Sequence, residues 1–273
     1  MNAPLERLAD AAEAAAFRDL VAAAPRPLAD ALGLRVLDID GATALLAPRV
    51  PDVFFNRVIG LGVERPATEA GLDRLVAAYR DAGVRAWWVH ATPGAEPAAL
   101  AEWLQARGSA PPARRTWAKM VRGPAPAPSV DTDVEIREVR PSEANAVGTQ
   151  IAAAFGMPPP FAGWIAALAG RPGWRMFGAF AGGPIGGACL HLQGERAWLG
   201  IGGVRADARG RGAHRALMAA RLQAAIDAGC RWIVTETGEP VGDERNPSLA
   251  NMVRCGFERA CSRMNYAAPA PSP

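Results

Sequence analysis

The chain has 273 residues, 50% of them hydrophobic and 21% charged, which excludes a wholly disordered protein. That length suggests two domains of about 100–200 residues each. No run approaches the roughly 18 consecutive apolar residues of a membrane helix. The 30 basic and 27 acidic residues leave a formal charge of +3. They divide evenly, with 15 basic and 14 acidic up to Gly123 and 15 and 13 beyond it, so bulk charge excludes a polyelectrolyte binder of nucleic acid. Lys119 is the only lysine; with the alanine excess, this reads as coding bias.

From the N-terminus, residues 1–34 are alanine-rich but broken by Glu6, Arg7, Asp10, Glu13, Arg18 and Asp19. With no uninterrupted apolar run after a basic start, this is not a secretory signal; it predicts one or two amphipathic helices. The cysteines (Cys189, Cys230, Cys255, Cys261) show no CxxC pair or zinc-finger spacing. They read as reduced, buried thiols, and the expected compartment is the cytoplasm. Gly123–Ser129 alternates proline with small residues, which stops a helix or central strand and predicts a linker. The expected organisation is a first domain over 1–122, a linker over 123–130, a second domain over 131–267 and a frayed tail over 268–273.

After the linker, 134–139 alternates as a half-buried strand should. Helices are expected over 142–155 and 161–169, strands over 175–180, 186–193 and 197–204. A helix over 213–228 sets Leu217, Met218, Leu222, Ala225 and Ile226 on one face. A strand over 231–235, a helix over 248–255 and a strand over 263–267 complete an α/β (α+β) unit of mostly antiparallel sheet with a crossover helix. The first half echoes the second. Asp81-Ala-Gly-Val-Arg-Ala-Trp87 parallels Asp227-Ala-Gly-Cys-Arg-Trp232, and Leu61-Gly-Val63 parallels Gly202-Gly-Val204. A duplicated domain is expected.

Chemistry concentrates between Val204 and Leu217. A strand ends at Val204, a glycine-containing loop follows, and a helix opens near Ala213. Glycines let a ligand approach backbone N–H groups, and a helix N-terminus adds orphan donors suited to phosphate. Arg205, Arg209, Arg211, Arg215 and Arg221 face one carboxylate, Asp207. A P-loop is excluded because no Lys-Ser/Thr pair follows the last glycine. A Rossmann fingerprint fails because position 215 is not glycine.

The stretch Arg209-Gly-Arg-Gly212-Ala-His214 resembles the Arg/Gln-x-x-Gly-x-Gly/Ala loop of the GNAT N-acetyltransferase superfamily. The Asn-containing helix (Asn246 to Asn251) and Gly256-Phe257 agree with it over residues 131–267. The resemblance implies two tandem GNAT-like domains, each a mixed, mostly antiparallel sheet flanked by helices, with acetyl-CoA as acyl donor and no metal. It implies cofactor contacts from Gly202, Gly203, Val204, Arg209, Gly210, Arg211, Gly212, Ala213 and His214. The glycine-rich end of the strand over 197–204 would supply the N–H that polarises a thioester carbonyl.

Glu236 is the candidate base or ammonium anchor, the alternative being a solvated strand-end carboxylate. Ser248 and Asn251 are candidates for contact with CoA or the leaving sulfur, with helix capping the alternative at Ser248. His191 could act through water, but a lone His on an apolar strand is more often packed. Two features depart from the pattern. His214 takes the last small position, and Met252 stands where the family often has a tyrosine that protonates the departing thiolate.

From Val63 to Gly83 is 20 positions and from Val204 to Gly229 is 25, so the first copy lacks the phosphate loop; Glu64 and Glu69 stand there instead. It is expected to share the fold and bind no CoA. Its Phe54-Phe55-Asn56-Arg57 is a candidate wall of the acceptor cleft. The expected function is transfer of an acyl group to a primary amine, the alternative a non-catalytic acyl-CoA-binding protein. The expected partners are acetyl-CoA and an amine acceptor, without nucleic acid or membrane, in a monomer or homodimer. Polyamine, aminoglycoside, amino acid and protein N-terminus remain open as acceptors.

Overall fold

The computed structural model describes residues 5–111 and 116–268; of the expected tail over 268–273, residues 269–273 lie outside them, and Ala268 N donates to Trp87 O at 3.0 Å. Two helices, α1 (Leu5–Ala22) and α2 (Arg26–Leu32), precede a hairpin of β1 (Arg35–Ile39) and β2 (Ala42–Leu46). Then come β3 (Arg57–Ile59), α3 (Glu69–Asp81), β4 (Trp88–Ala91), α4 (Leu100–Ala106) and β5 (Trp117–Arg122). After the linker follow β6 (Glu135–Glu138), α5 (Ala144–Ala154), α6 (Pro160–Ala166), β7 (Trp174–Phe180), β8 (Pro184–Gln193) and β9 (Arg196–Val204). The chain closes with α7 (Ala213–Asp227), β10 (Trp232–Gly238), α8 (Pro247–Arg254) and β11 (Glu258–Ala267).

Among the described residues, eleven strands form one sheet in the order β1-β2-β3-β4-β11-β5-β10-β9-β8-β7-β6. Every pairing is antiparallel except β3 with β4 and β9 with β10. Those two parallel pairs are each joined by one helix, α3 and α7, as a parallel connection requires. The internal echo of the sequence therefore corresponds to two β-α-β crossovers placed alike in their halves.

The centre of the sheet is an exchange between halves. β5 precedes the linker yet pairs with β10 on one side and β11 on the other. β11 begins at Glu258, five residues before the expected start at Arg263, and serves both halves. Glu258–Arg263 pairs with β5, and after a register shift near Arg259–Cys261, Met264–Ala267 pairs with β4. Arg122 fastens the crossing, donating to Cys255 O at 2.5 Å and to Gly123 O at 3.2 Å.

Three apolar clusters hold the helices to the sheet. Leu72, Leu75 and Tyr79 of α3 pack on β1–β4. Leu217, Met218 and Leu222 of α7, from the predicted face, pack on one side of β6–β10. Phe17 and Leu20 of α1 join Ile151, Trp164 and Ile165 of α5 and α6 on the other; each such burial contributes about 1.5–3 kcal/mol. Helix α1 departs from an ordinary amphipathic helix, because Asp10 and Glu13 face the sheet and are 0% exposed. No described helix is long and apolar enough to cross a membrane.

Candidate functional site

The site opens where the two parallel strands of the second half part. β9 and β10 are in register only over Trp232↔Arg196, Ile233↔Ala197 and Val234↔Trp198. Beyond Trp198, β9 continues against β8 alone and β10 against β5 alone. The wedge between them leads into a cavity of about 1740 Å³.

On β9, Ile201 and Gly202 lie opposite the single Ala188 of β8, a bulge between Gly187↔Gly203 and Cys189↔Gly200. Ile201 sits there at φ 51°, a left-handed conformation that costs a β-branched residue about 1–3 kcal/mol. An isoleucine otherwise favours extended strand, so the sequence gives no signal for it. Arg221 lies behind the bulge, donating through Nη1 to Cys189 O at 3.1 Å and Gly200 O at 3.3 Å. It is buried and bonded inward rather than displayed with the loop arginines, which corrects its place in the expected basic cluster. Burial brings its pKa down to about 10, against the opposing influence of the nearby Cys189 and Cys255.

The loop over 205–212 carries two glycines at positive φ, Gly210 at 84° and Gly212 at 79°. Gly212 is also the N-cap of α7, and a Cβ there would stand 3.2 Å from Asp131 O. Thr132 Oγ1 donates to Arg211 O at 2.6 Å, and Arg211 Nε meets Asp133 Oδ1 at 3.2 Å. Arg205 is paired with Asp207 at 2.6 Å. Arg209 and Arg215 form no ion pair with the described residues, and Arg215 Nε is buried without a hydrogen-bond partner. His214 is held neutral by burial and by Arg221, its pKa lowered to about 4. Its Nδ1 lies 3.2 Å from Asn251 Nδ2, and because the amide can only donate, that ring nitrogen is the acceptor.

Glu236 extends from β10 opposite Lys119 of β5. Its side chain is 6% exposed, so it is not the solvated strand-end carboxylate of the alternative. Trp198 Nε1 donates to both carboxylate oxygens, at 3.1 and 3.0 Å, and Lys119 Nζ lies 3.1 Å from Oε2. Lys119 also reaches Glu13 Oε2 at 2.7 Å and Asp10 Oδ1 at 3.7 Å. Arg263 Nη1 meets Asp10 Oδ1 at 2.6 Å and Glu13 Oε2 at 2.5 Å, and Arg57 Nη2 lies 3.4 Å from Glu13 Oε1. Three carboxylates thus meet three cations at the junction of the halves.

Behind them, His90 Nδ1 donates to Asn265 Oδ1 at 2.5 Å. Burial and the Arg263 and Arg57 charges hold its pKa well below the usual histidine range. Burial and the neighbouring Glu13 raise the pKa of Glu236. Burial also opposes ionisation of Glu13, but the Arg263, Lys119 and Arg57 charges outweigh it and hold its carboxyl well below the usual range.

The cavity brings together all twelve residues picked from the sequence: Gly202, Gly203, Val204, Arg209 to His214, Glu236, Ser248 and Asn251. Met252 lines it as well. Ser248 is not a helix cap, because Asn246 holds that place, its Oδ1 accepting from Leu249 N at 2.9 Å. His191 packs against Trp174, ring centroids 4.8 Å apart, and is not among the cavity residues. Neither tyrosine reaches the cavity: Tyr79 donates to Leu45 O at 2.7 Å, and Tyr266 is buried opposite Val89. Phe54 and Phe55 line the far wall, while Asn56 and Arg57 are buried behind it. Among the described residues no group of three or more His, Cys, Asp or Glu is placed to hold a metal.

No family model and no curated protein matches the chain. Solved structures do. A GCN5-related N-acetyltransferase from Kribbella flavida is 16% identical with a TM-score of 0.63, covering 95% of this chain and 95% of its own. A GCN5-related N-acetyltransferase from Sphaerobacter thermophilus is 16% identical with a TM-score of 0.60, covering 91% and 87%. A tandem GNAT protein from the clavulanic acid biosynthesis pathway is 17% identical with a TM-score of 0.61, covering 85% and 79%. With its two β-α-β crossovers in one eleven-stranded sheet, the chain has the fold of the GCN5-related N-acetyltransferases in its tandem form.

Proposed function

We propose that the second half binds acetyl-CoA and transfers its acyl group to a primary amine. What carries this is the convergence, on one cavity, of a glycine-bent loop at a helix N-terminus, two arginines without carboxylate partners, and a buried carboxylate. Phosphate groups suit Arg209, Arg215 and the N–H groups around Gly210 and Gly212; the orphaned Arg215 Nε is a donor awaiting such an acceptor. Acetyl-CoA, when bound, supplies an acyl group on a thioester carbonyl.

The bulge at Ile201–Gly202 re-aims the backbone of β9, and its N–H groups are the candidates for polarising that carbonyl. Glu236 accepts the proton that the incoming ammonium must lose before its nitrogen can attack. A carboxylate of raised pKa suits this role near neutral pH. The new N–C bond replaces the C–S bond, the second proton lost by the attacking nitrogen reaches the departing CoA thiolate by way of solvent, and the proton on Glu236 passes to solvent. Ser248 and Asn251 line the wall where the leaving sulfur is expected. We also propose that the first half, with Glu64 and Glu69 in place of the loop, keeps the fold and walls the cavity without binding CoA.

Met252 favours a second reading, a protein that binds acyl-CoA without turnover, because neither tyrosine stands near enough to protonate a thiolate. Calorimetric titration with acetyl-CoA followed by thiol release in a panel of amines separates the two. Binding with release supports the transferase, binding without release the second reading, and no binding at millimolar ligand ends both.

A further inference from the structure

The far end of the cavity is unlike the loop end. Leu28 and Leu32 of α2, Phe54 and Phe55 before β3, and Phe161 and Trp164 of α6 line it. The rings are mutually packed, Phe55 lying 5.2 Å from Phe161 and 5.6 Å from Trp164. Among the described residues, Arg49 and Asp52 are the charged side chains lining this end, and backbone groups engage both. Arg49 Nη1 donates to Asp30 O at 2.9 Å and Ala31 O at 3.0 Å. Asp52 Oδ1 accepts from Phe54 N at 2.8 Å. The back of the aromatic wall is cationic, with the Arg57 guanidinium 4.2 Å from the Phe17 centroid and 4.5 Å from that of Phe54. This wall leads to the carboxylate: Phe54 meets Phe17 edge-on at 5.4 Å, Phe17 meets Trp198 at 5.4 Å, and Trp198 holds Glu236.

Resting on the transferase assignment above, we infer that the acceptor is a primary amine with one charge, carried on an apolar aromatic or alkyl body seated between α2 and α6. The cavity, at about 1740 Å³, exceeds the roughly 300–1,000 Å³ of a single small-ligand site and has room for a second molecule beside the donor. A polyamine or aminoglycoside would bring several further ammonium groups to an end where Asp52 is the one carboxylate among the described lining residues. An amino acid would bring a carboxylate to an end where Arg49, the one arginine among the described lining residues, already donates to two backbone carbonyls, and would leave the apolar wall uncovered. Buried charges left unpaired in this way are strongly disfavoured. An apolar body instead gains from each methylene removed from water.

The test measures thiol release from acetyl-CoA with propylamine, hexylamine, 2-phenylethylamine, spermidine, kanamycin and alanine, together with calorimetric binding of acetyl-CoA. From propylamine to hexylamine, kcat/KM is expected to rise about fourfold per methylene, following about 0.8 kcal/mol per buried CH₂. Hexylamine and 2-phenylethylamine are expected to exceed spermidine, kanamycin and alanine at least a hundredfold. Leu28→Ser, in α2 and outside the 205–212 loop, should flatten the alkyl series while leaving acetyl-CoA affinity unchanged. A flat series, or preference for spermidine, kanamycin or alanine, overturns the inference while leaving the transferase assignment intact. If no amine is turned over, saturable quenching of tryptophan fluorescence by hexylamine in the acetyl-CoA complex upholds it, and absence of quenching overturns it. Binding of octanoyl-CoA more than tenfold tighter than acetyl-CoA assigns the apolar end to an acyl chain and overturns it. Failure to bind acetyl-CoA removes the transferase assignment and this inference with it.

Discussion

Replacing Lys119 by methionine tests the buried charge cluster that places Glu236. Lys119 is 0% exposed and lies 2.7 Å from Glu13, 3.1 Å from Glu236 and 3.7 Å from Asp10. Methionine keeps most of the stem volume and removes only the ammonium. Asp10, Glu13 and Glu236 then face Arg57 and Arg263 alone, one buried negative charge in excess. Breaking a buried pair in this way costs about 3–5 kcal/mol, a large share of a total stability of about 5–15 kcal/mol.

Urea denaturation at pH 7.5 is expected to show that loss. The double variant Lys119→Met/Glu236→Gln restores the balance and should lose less than Lys119→Met alone. The loss should also shrink as pH falls. Glu236 already titrates above the usual carboxylate range because of burial and Glu13, and without Lys119 it moves higher. Between the unfolded and folded values the folded variant holds more protons than the unfolded chain, so lowering pH through that window stabilises it. A loss below about 1 kcal/mol, or a double variant whose loss equals the sum of the single ones, would refute the cluster as a coupled unit.

Gly212→Val should weaken acetyl-CoA binding at least tenfold by calorimetry, because φ 79° and Asp131 O at 3.2 Å leave no place for a branched side chain. Glu236→Gln should lower kcat/KM about 10²- to 10⁴-fold, the range of general base catalysis, with acetyl-CoA affinity retained. In the wild type, kcat/KM should rise with pH through a value above that of an ordinary glutamate, since the base must be ionised. In acid, the stability that Glu13 contributes is complete above its unfolded pKa. It is lost as pH falls towards the depressed folded value, so thermal melts should show a decline beginning near pH 5. Asn246→Ala, which removes the cap of α8 at Leu249 N, should cost about 1 kcal/mol in urea denaturation.

The loop was legible because its signal is local. A strand end, two glycines and a helix start lie within a dozen positions, and glycine is what the positive φ values at 210 and 212 require. The cluster around Glu236 was not, because Asp10, Glu13, Arg57, Lys119, Glu236 and Arg263 come from separate elements and meet only in the folded sheet. One trace of it was visible. The lysine that looks like an accident of arginine-rich composition is the residue at its centre, a compact ammonium reaching three carboxylates. The crossing of β5 and β11 was hidden for a related reason: nothing local in Trp117–Arg122 names a partner strand beyond the linker, and the proline linker suggested separate sheets. Ile201 gave no warning, since its residue type argues against the conformation it adopts.

The most direct test of the central claim is calorimetric titration of acetyl-CoA into the full chain and into Gly212→Val. The wild type is expected to bind one equivalent, and the variant to bind at least tenfold more weakly. No heat from the wild type at millimolar acetyl-CoA, or equal affinity in the two proteins, would contradict that claim.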